Sequence, residues 1–179
     1  MSRIPPIEPA TAPATVAPLL AGVQQGLGMT PNLFRVAANS PAALEALVGF
    51  FGAVSKGRLD ARTREAIALT VSEIDACDYC LSAHSALGKR AGLDEQALAD
   101  ARLGKSDDSR RMRLLGLARA IVDHRGRAGT VLDEVREAGI SDAEVIEVAA
   151  NVALTIFTNY LNELAATDLD FPVVRHHPR

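Results

Sequence analysis

Residues that begin and end helices recur along the whole chain, and they restrict its fold more than any other feature. Ser, Thr or Asp stands before the apolar stretches, twice with proline directly after it, and glycine closes most of them. Between these boundaries the apolar residues are spaced by three and four positions, as in amphipathic helices. The pattern predicts a short helix after Thr30 and longer helices over residues 14–25, 41–55, 61–74, 76–90, 94–102, 109–125, 130–138 and 142–166. The last of these is predicted to break near Thr158.

The composition also favours an all-α fold. The chain has 179 residues, of which 48% are hydrophobic but only 4% aromatic. Abundant alanine and short β-branched runs suit close-packed helices rather than a sheet, and the length is sufficient for a proper core. We expect a Pro-rich arm over residues 1–14, a single helical domain over 15–172 and an irregular tail over 173–179.

The charge and the N-terminal sequence narrow the range of partners. The formal net charge is −3, so the chain lacks the basic surface expected of a nucleic-acid-binding protein. Prolines interrupt the first 18 residues, which therefore lack the unbroken apolar core of a signal peptide. No apolar run approaches the length of a membrane span. We therefore expect a cytoplasmic protein with neither nucleic acid nor membrane as a partner.

Both cysteines of the chain lie in one C-x-x-C motif, Cys77 and Cys80, and His84 follows four residues later. On a helix, these three positions share one face. Asp75 is the predicted N-cap of that helix, so the first-turn thiols would lie near its positive end, which favours thiolates. In a cytoplasmic protein, a lone C-x-x-C is typical of redox chemistry or metal binding rather than of a structural disulfide.

Glu65 can join this group only if the chain reverses direction. In one straight helix, Glu65 would lie roughly 18 Å from Cys77, too far to cooperate with it. A reversal near residues 75–76 makes an antiparallel helix pair, with Glu65 about 13 Å and His84 about 10 Å from the turn. The carboxylate then orients and polarises the imidazole, which completes a Glu–His–Cys proton path.

Other interpretations of the cysteine pair fit the spacing less well. A structural zinc site needs four ligands, and only three candidate ligands cluster before Glu65 is added. A c-type haem needs histidine directly after the second cysteine, where Leu81 stands. Two inert cysteines are a further alternative, but this spacing disfavours them, since buried cysteines are usually scattered. Redox chemistry is the favoured interpretation.

Two further features are less specific. Tyr79, between the cysteines, either walls the site or packs in the core. Asn151, Asn159 and Asn162 lie in an otherwise apolar helix, and buried amides need partners. They either cap the turn or line a pocket, and a structural role is favoured.

A faint internal repeat aligns Glu65 with Glu147 and the two cysteines with Asn159 and Asn162. It suggests two similar helical halves, with the chemistry kept in the first half.

The pattern Glu65-x11-Cys77-x-x-Cys80-x3-His84 resembles the signature of the alkyl hydroperoxidase D-like, or carboxymuconolactone decarboxylase-like, superfamily. The flanks TPNLFRVAANSPAALEAL and EIDACDYCLSAH, and the later segment NVALTIFTNYLNELA, resemble its peroxidase-related branch. The resemblance covers about residues 28–172. It implies an all-α fold, homo-oligomers that are commonly trimers or hexamers, and thiol-dependent reduction of hydroperoxides without a bound cofactor or metal.

The resemblance also implies a role for each residue of the pattern. Cys80 is the peroxidatic cysteine that becomes a sulfenic acid, although dipole reasoning alone favours Cys77 as the thiolate. Cys77 is the proton donor and resolving cysteine that closes the disulfide, and Glu65 and His84 complete the proton relay. Tyr79 is a departure, because the best-known member has histidine directly before its second cysteine. The decarboxylase branch lacks this cysteine pair, which argues against decarboxylation.

The sequence therefore predicts a thiol-dependent hydroperoxide reductase, that is, a peroxidase with peroxiredoxin activity. An external dithiol would reduce the disulfide, and a lipoyl protein, a thioredoxin-like protein and a small thiol are all compatible donors. The alternative is a thiol–disulfide oxidoreductase or redox sensor without significant peroxide turnover. A non-enzymatic, zinc-stabilised helical module is the third hypothesis.

Overall fold

The computed structural model describes residues 2–178, and its regular elements in that range are all helical. A short 3-10 turn at Pro9–Thr11 precedes the α-helices. These are α1 (Ala17–Leu27), α2 (Asn32–Ala37), α3 (Pro41–Val54), α4 (Ala61–Ile74), α5 (Asp78–Ala91), α6 (Glu95–Arg102), α7 (Ser109–Asp123), α8 (Thr130–Glu137) and α9 (Asp142–Ala165). The all-α expectation is confirmed.

The predicted caps explain most of the helix boundaries. The Asp60 carboxylate accepts a hydrogen bond from the Thr63 amide, and α4 covers the predicted range 61–74. Ser40 caps α3 in the same way by accepting from Ala43. Ser141 forms a full capping box with Glu144 at the start of α9.

The predicted break in the last helix is wrong, because α9 runs without interruption from Asp142 to Ala165. The hydroxyls of Thr155 and Thr158 bond back to the carbonyls of Asn151 and Thr155, so both side chains are satisfied within the helix. The residues that the faint repeat aligns with the C-x-x-C motif thus lie inside a continuous helix. The turn between α4 and α5 has no counterpart in α9.

Helix α4 is the centre of the domain and packs against α5, α6, α7 and α9. Its buried residues join one apolar cluster with side chains of α7 and α9, among them Ile67, Leu115 and Val148. A second cluster is built from α1, α2, α3 and the first turn of α5, and it contains both cysteines and Tyr79. The candidate site therefore lies in the second apolar layer, where α5 meets the N-terminal helices.

Both ends of the chain pack against the helices. In the N-terminal arm, the Ile7 amide donates to the Arg35 carbonyl at 2.9 Å. In the C-terminal tail, the Val174 amide donates to Ser82 Oγ at 2.9 Å, and the His176 amide donates to Asp78 at 2.9 Å. The tail is irregular, as expected, and lies across the start of α5. Within residues 2–178, every helix is too short or too polar to cross a lipid bilayer.

Candidate functional site

A tight reversal at Ala76 places the two helices of the motif side by side. Ala76 has φ of +56°, in the left-handed region. The Ala76 amide donates to the Glu73 carbonyl, and the Cys77 amide donates to the Ser72 carbonyl at 3.0 Å. This is the Schellman arrangement, which ends a helix and turns the chain away. The antiparallel pair predicted from the sequence is therefore produced by the backbone of residues 72–77.

The predicted N-cap Asp75 is wrong. The left-handed residue after Asp75 makes it the C-cap of α4, so α5 begins only at Asp78. Cys77 is the N-cap instead, and its Sγ accepts a hydrogen bond from the Cys80 amide at 3.4 Å. Both cysteines are free thiols, and their exposed fractions are 0% and 2%.

Glu65 and His84 are neighbours, as the antiparallel arrangement predicts. Glu65 Oε2 lies 2.8 Å from His84 Nδ1, and the side chains of the pair are 20% and 12% exposed. Burial lowers the pKa of His84, but the Glu65 carboxylate, with a smaller contribution from Cys80, raises it above its ordinary value. The carboxylate thus favours the imidazolium form, and Nε2 is the ring nitrogen that can exchange a proton with the site.

Cys80 has an environment that stabilises a thiolate. Asn162 Nδ2 donates to Cys80 Sγ at 3.2 Å. Burial raises the pKa of Cys80, but a hydrogen bond from Cys77, the charge of His84, and contacts from Asn162 and Thr158 together lower it below its ordinary value. The groups around the sulfur therefore outweigh its desolvation.

Cys77 has the opposite balance. Its hydrogen bond to the Cys80 sulfur, its burial and the charge of Cys80 raise its pKa far above the ordinary thiol value. This balance favours a proton on Cys77 and a thiolate at Cys80. Dipole reasoning from the sequence favours Cys77, but the contacts of the folded chain favour Cys80.

A cavity of about 480 Å³ opens onto this thiolate. Most of its walls come from α1, α2, α3 and α5 and are apolar, and Leu27, Phe34 and Phe51 are examples. Cys80, His84 and Glu65 also line it, so all three face one space. Cys77 is not among the lining residues of this cavity and lies behind Cys80.

Tyr79 walls the cavity and is also packed. Its ring meets Phe171 edge-on with 5.9 Å between centroids, and its hydroxyl accepts from the Leu33 amide at 3.1 Å. Burial, with the nearby Asp170 carboxylate, raises the pKa of Tyr79, although the Leu33 bond lowers it. The phenol thus stays protonated and is engaged by the backbone of α2.

The three asparagines of α9 have different partners. Asn159 accepts from Ser72 Oγ at 3.1 Å and donates to Asp75 at 2.7 Å, which ties α9 to the end of α4. Asn151 donates to the Glu147 carbonyl at 2.7 Å. Of these three asparagines, Asn162 contacts a cysteine. The sequence instead favours a structural role for it. The signals in the sequence were an amide in an apolar stretch of helix and the faint repeat that aligns Asn162 with Cys80.

The structure offers no metal-binding cluster in the part of the chain that it describes. Between residues 2 and 178, no three His, Cys, Asp or Glu side chains are grouped so that they could hold a metal ion. His176 pairs with Asp78 and His177 pairs with Glu73 in the C-terminal tail.

Comparisons with known proteins agree with the family resemblance. Residues 41–120, which include the whole motif, match the Carboxymuconolactone decarboxylase family. No curated protein matches the chain.

Several solved structures share the fold. A peroxidase-related protein of Ralstonia eutropha JMP134, with an alkylhydroperoxidase AhpD core, has a TM-score of 0.83 at 23% identity over 94% of this chain and 92% of its own. A peroxidase-related protein of Silicibacter sp. TM1040 has a TM-score of 0.79 at 23% identity over 92% and 88%. The debrominase Bmp8 has a TM-score of 0.79 at 24% identity over 93% and 91%. A cysteine-to-alanine variant of that debrominase has been solved with 2,3,4-tribromopyrrole.

Proposed function

We propose that this chain is a thiol-dependent hydroperoxide reductase of the alkyl hydroperoxidase D-like, carboxymuconolactone decarboxylase-like superfamily, whose family model matches residues 41–120 and whose fold it shares. One observation carries the proposal: Cys80 combines a lowered pKa with a place on the wall of a large cavity, next to a Glu65–His84 pair. A stabilised thiolate with an acid beside it is what cleavage of a peroxide O–O bond requires.

In the first step, the Cys80 thiolate attacks the outer oxygen of the hydroperoxide. The S–O bond forms as the O–O bond breaks, and the alkoxide leaves. The His84 imidazolium, held in its charged form by Glu65, supplies the proton that turns the alkoxide into an alcohol. Cys80 is oxidised to a sulfenic acid and the peroxide is reduced to an alcohol.

In the second step, the Cys77 sulfur attacks the sulfenic sulfur of Cys80. Cys77 loses its proton, the hydroxyl of the sulfenic acid leaves as water, and the Cys77–Cys80 disulfide forms. The Cys80 amide already donates to Cys77 Sγ at 3.4 Å, so the two residues are in contact before oxidation. An external dithiol then reduces the disulfide and restores both thiols.

Burial favours peroxide reduction over exchange with protein disulfides. A protein disulfide must bring its sulfur in line with the attacking thiolate, but the exposed fractions of Cys77 and Cys80 are 0% and 2%. A small hydroperoxide enters the cavity without this difficulty. By the same reasoning the electron donor presents a narrow, flexible dithiol rather than a thiol on a rigid surface.

The cavity also favours bulky organic hydroperoxides over hydrogen peroxide. Its volume of about 480 Å³ is in the usual range for small-molecule sites and far exceeds what hydrogen peroxide fills. Its apolar walls gain free energy from burying an alkyl or aryl group. We therefore expect a higher kcat/KM for cumene hydroperoxide than for hydrogen peroxide.

A peroxidase assay with a dithiol donor tests the proposal. Wild-type protein should consume cumene hydroperoxide, and Cys80→Ser should not. A double variant, Cys80→Ser with Ala99→Cys, controls for non-specific chemistry, because residue 99 is exposed on α6 and its thiol would lie outside the cavity. Equal rates for the wild type and Cys80→Ser would end the proposal.

Reductive debromination is a second candidate, and the apolar cavity that ends at a thiolate favours it. The similar debrominase Bmp8 has a variant solved with a brominated pyrrole. Such a reaction would use the Cys77–Cys80 pair as the reductant. The bromoarene gains a hydrogen, bromide leaves, and the two thiols are oxidised to a disulfide. Bromide release from 2,3,4-tribromopyrrole, measured against the peroxidase rate, distinguishes the two activities.

A homo-oligomer, which the resemblance implies, is part of the proposal. The outer face of α9 exposes four large apolar side chains at helical spacing: Ile146, Phe157, Tyr160 and Leu164. Phe157, Tyr160 and Leu164 lie within two turns of one another and are 40%, 63% and 68% exposed, so they form an apolar group of the kind that marks an interaction surface. We expect copies of this chain to associate through α9.

Light scattering tests this association. Tyr160→Lys should lower the mass of the particle, whereas Met112→Lys, at an exposed position of α7, should leave it unchanged. A wild-type protein with the mass of a single chain would contradict the association and would leave the peroxidase proposal standing.

A further inference from the structure

We infer that Asn162 is a catalytic residue whose side-chain amide stabilises the Cys80 thiolate; this inference rests on the proposed function. Asn162 Nδ2 donates to Cys80 Sγ at 3.2 Å, and both residues are 2% exposed. The contact joins α9 to α5 across the second apolar cluster. In such a low-dielectric setting, a hydrogen bond to an anion is stronger than it would be in water.

The orientation of the amide indicates which form of the sulfur it serves. Asn162 Oδ1 is buried and has no hydrogen-bond partner among residues 2–178. Leaving a buried acceptor unpaired costs free energy, so this orientation needs a compensating contact. The reversed amide would turn its oxygen toward Cys80, where it could accept only from a protonated thiol. The observed arrangement instead presents a donor to the sulfur, and a thiolate accepts such a bond more strongly than a thiol does.

Asn162 differs from Cys77 and His84, the titratable groups that act on the Cys80 sulfur, because its amide does not titrate. The titratable and charged groups of this site are Cys77 at the N-cap of α5, Tyr79, His84 and Arg90 on α5, Glu65 on α4 and, near Cys77, Glu163 on α9. The effect of His84 on Cys80 disappears when the imidazole loses its proton. The amide of Asn162 donates at every pH, so it keeps the thiolate stabilised on the alkaline side as well.

Alkylation of Cys80 by iodoacetamide tests the inference without a peroxide. All variants carry Cys77→Ser, so that one thiol reacts. Asn162→Leu keeps the branched side-chain shape but lacks the N–H group. We expect its alkylation rate at pH 6 to fall about tenfold or more, because a hydrogen bond to a charged group is lost. Well above the thiolate pKa its rate should equal or exceed that of the parent, since a less stabilised thiolate is more nucleophilic.

A matched control is available on the same helix. Asn151 is also a buried amide of α9, about 16 Å away along the helix axis. Asn151→Ala should keep the alkylation profile of the parent. A profile for Asn162→Leu that matches the parent at every pH would overturn the inference.

Further measurements separate the inference from a purely structural role and from the peroxidase proposal. A purely structural role of Asn162 would change the midpoint of thermal unfolding without shifting the pH profile of Cys80 alkylation. Asn162→Leu should not lower that midpoint, because the substitution also removes the unpaired side-chain carbonyl. If Asn162→Leu fails to fold, Asn162→Ala and the thiolate absorbance near 240 nm give the same comparison. If the pH profile shifts but the wild-type protein consumes no peroxide, the peroxidase proposal and the catalytic role fail, while the stabilisation of the Cys80 thiolate by Asn162 stands.

Discussion

Replacing Glu65 by Gln removes the charge beside His84 while keeping the shape of the side chain. The lost contact is a charge-assisted hydrogen bond with 2.8 Å between Oε2 and Nδ1. The side chains are 20% and 12% exposed, so solvent screens the pair little. Such bonds contribute about 1.5–3 kcal/mol. Because about 1.4 kcal/mol is a factor of ten in rate, we expect kcat/KM for a hydroperoxide to fall about 10- to 100-fold near pH 8.

The pH dependence of this loss tests its cause. Glu65 raises the pKa of His84, so in Glu65→Gln the imidazolium is lost at lower pH. The alkaline limb of the kcat/KM profile should therefore move to lower pH. The acid limb, which reports the Cys80 thiolate, should move less, because burial, Cys77, Asn162 and Thr158 still act on it.

The free energy of unfolding should also depend on pH through the Glu65–His84 pair. The folded pKa of His84 lies above its ordinary value of 6.5, so the pair stabilises the fold fully below pH 6.5. This contribution is lost as the pH rises through the folded pKa. The difference in unfolding free energy between the wild type and Glu65→Gln should therefore shrink from pH 6 to pH 9.

Steady-state kinetics from pH 5 to 10 and urea unfolding at pH 6 and 9 measure both effects. Glu95→Gln is the control, because Glu95 forms an exposed pair with Lys89 that contributes little. A Glu65→Gln protein with wild-type kcat/KM and an unmoved alkaline limb would refute the relay.

Three more predictions concern the resolving cysteine, the turn and the core. Cys77→Ser should accumulate a dimedone-reactive sulfenic acid on Cys80 and stop after one turnover; continued turnover would show that Cys77 does not resolve it. Ala76→Gly should raise the unfolding free energy by about 1 kcal/mol in urea titration, because φ of +56° strains an alanine; no change would mean that the turn is unstrained. Leu115→Ala, at a fully buried position of α7, should lower the free energy of unfolding by about 2–5 kcal/mol. A loss below about 1 kcal/mol would contradict the packing of Leu115 in the core.

The local features of the site could be predicted from the sequence. Caps at Ser40, Asp60 and Ser141 begin helices where side-chain oxygens reach the first free amides. Helical spacing places Cys80 and His84 on one face of α5, and one turn brings Glu65 alongside His84. These contacts involve residues within about two dozen positions of one another, and over such distances helix periodicity and turn geometry determine which side chains meet.

The start of α5 was predicted less well because two backbone rules competed. Asp75 has the residue type of an N-cap, but it also stands at the end of an apolar helical stretch. The left-handed conformation of Ala76 decides between them, since it ends α4 at Asp75 and leaves Cys77 to cap α5. Alanine rarely adopts that conformation, so the residue type gave no warning of the turn.

The sequence by itself determined most of the helices and caps and the grouping of Glu65, Cys80 and His84, because each follows from short-range periodicity. Only the tertiary structure decided which thiol is acidic and what surrounds it. Asn162 reaches Cys80 across a separation of 82 residues, and the cavity walls come from helices elsewhere in the chain. Such contacts depend on how whole helices pack, and apolar stripes specify that a face is buried without specifying which residues it meets.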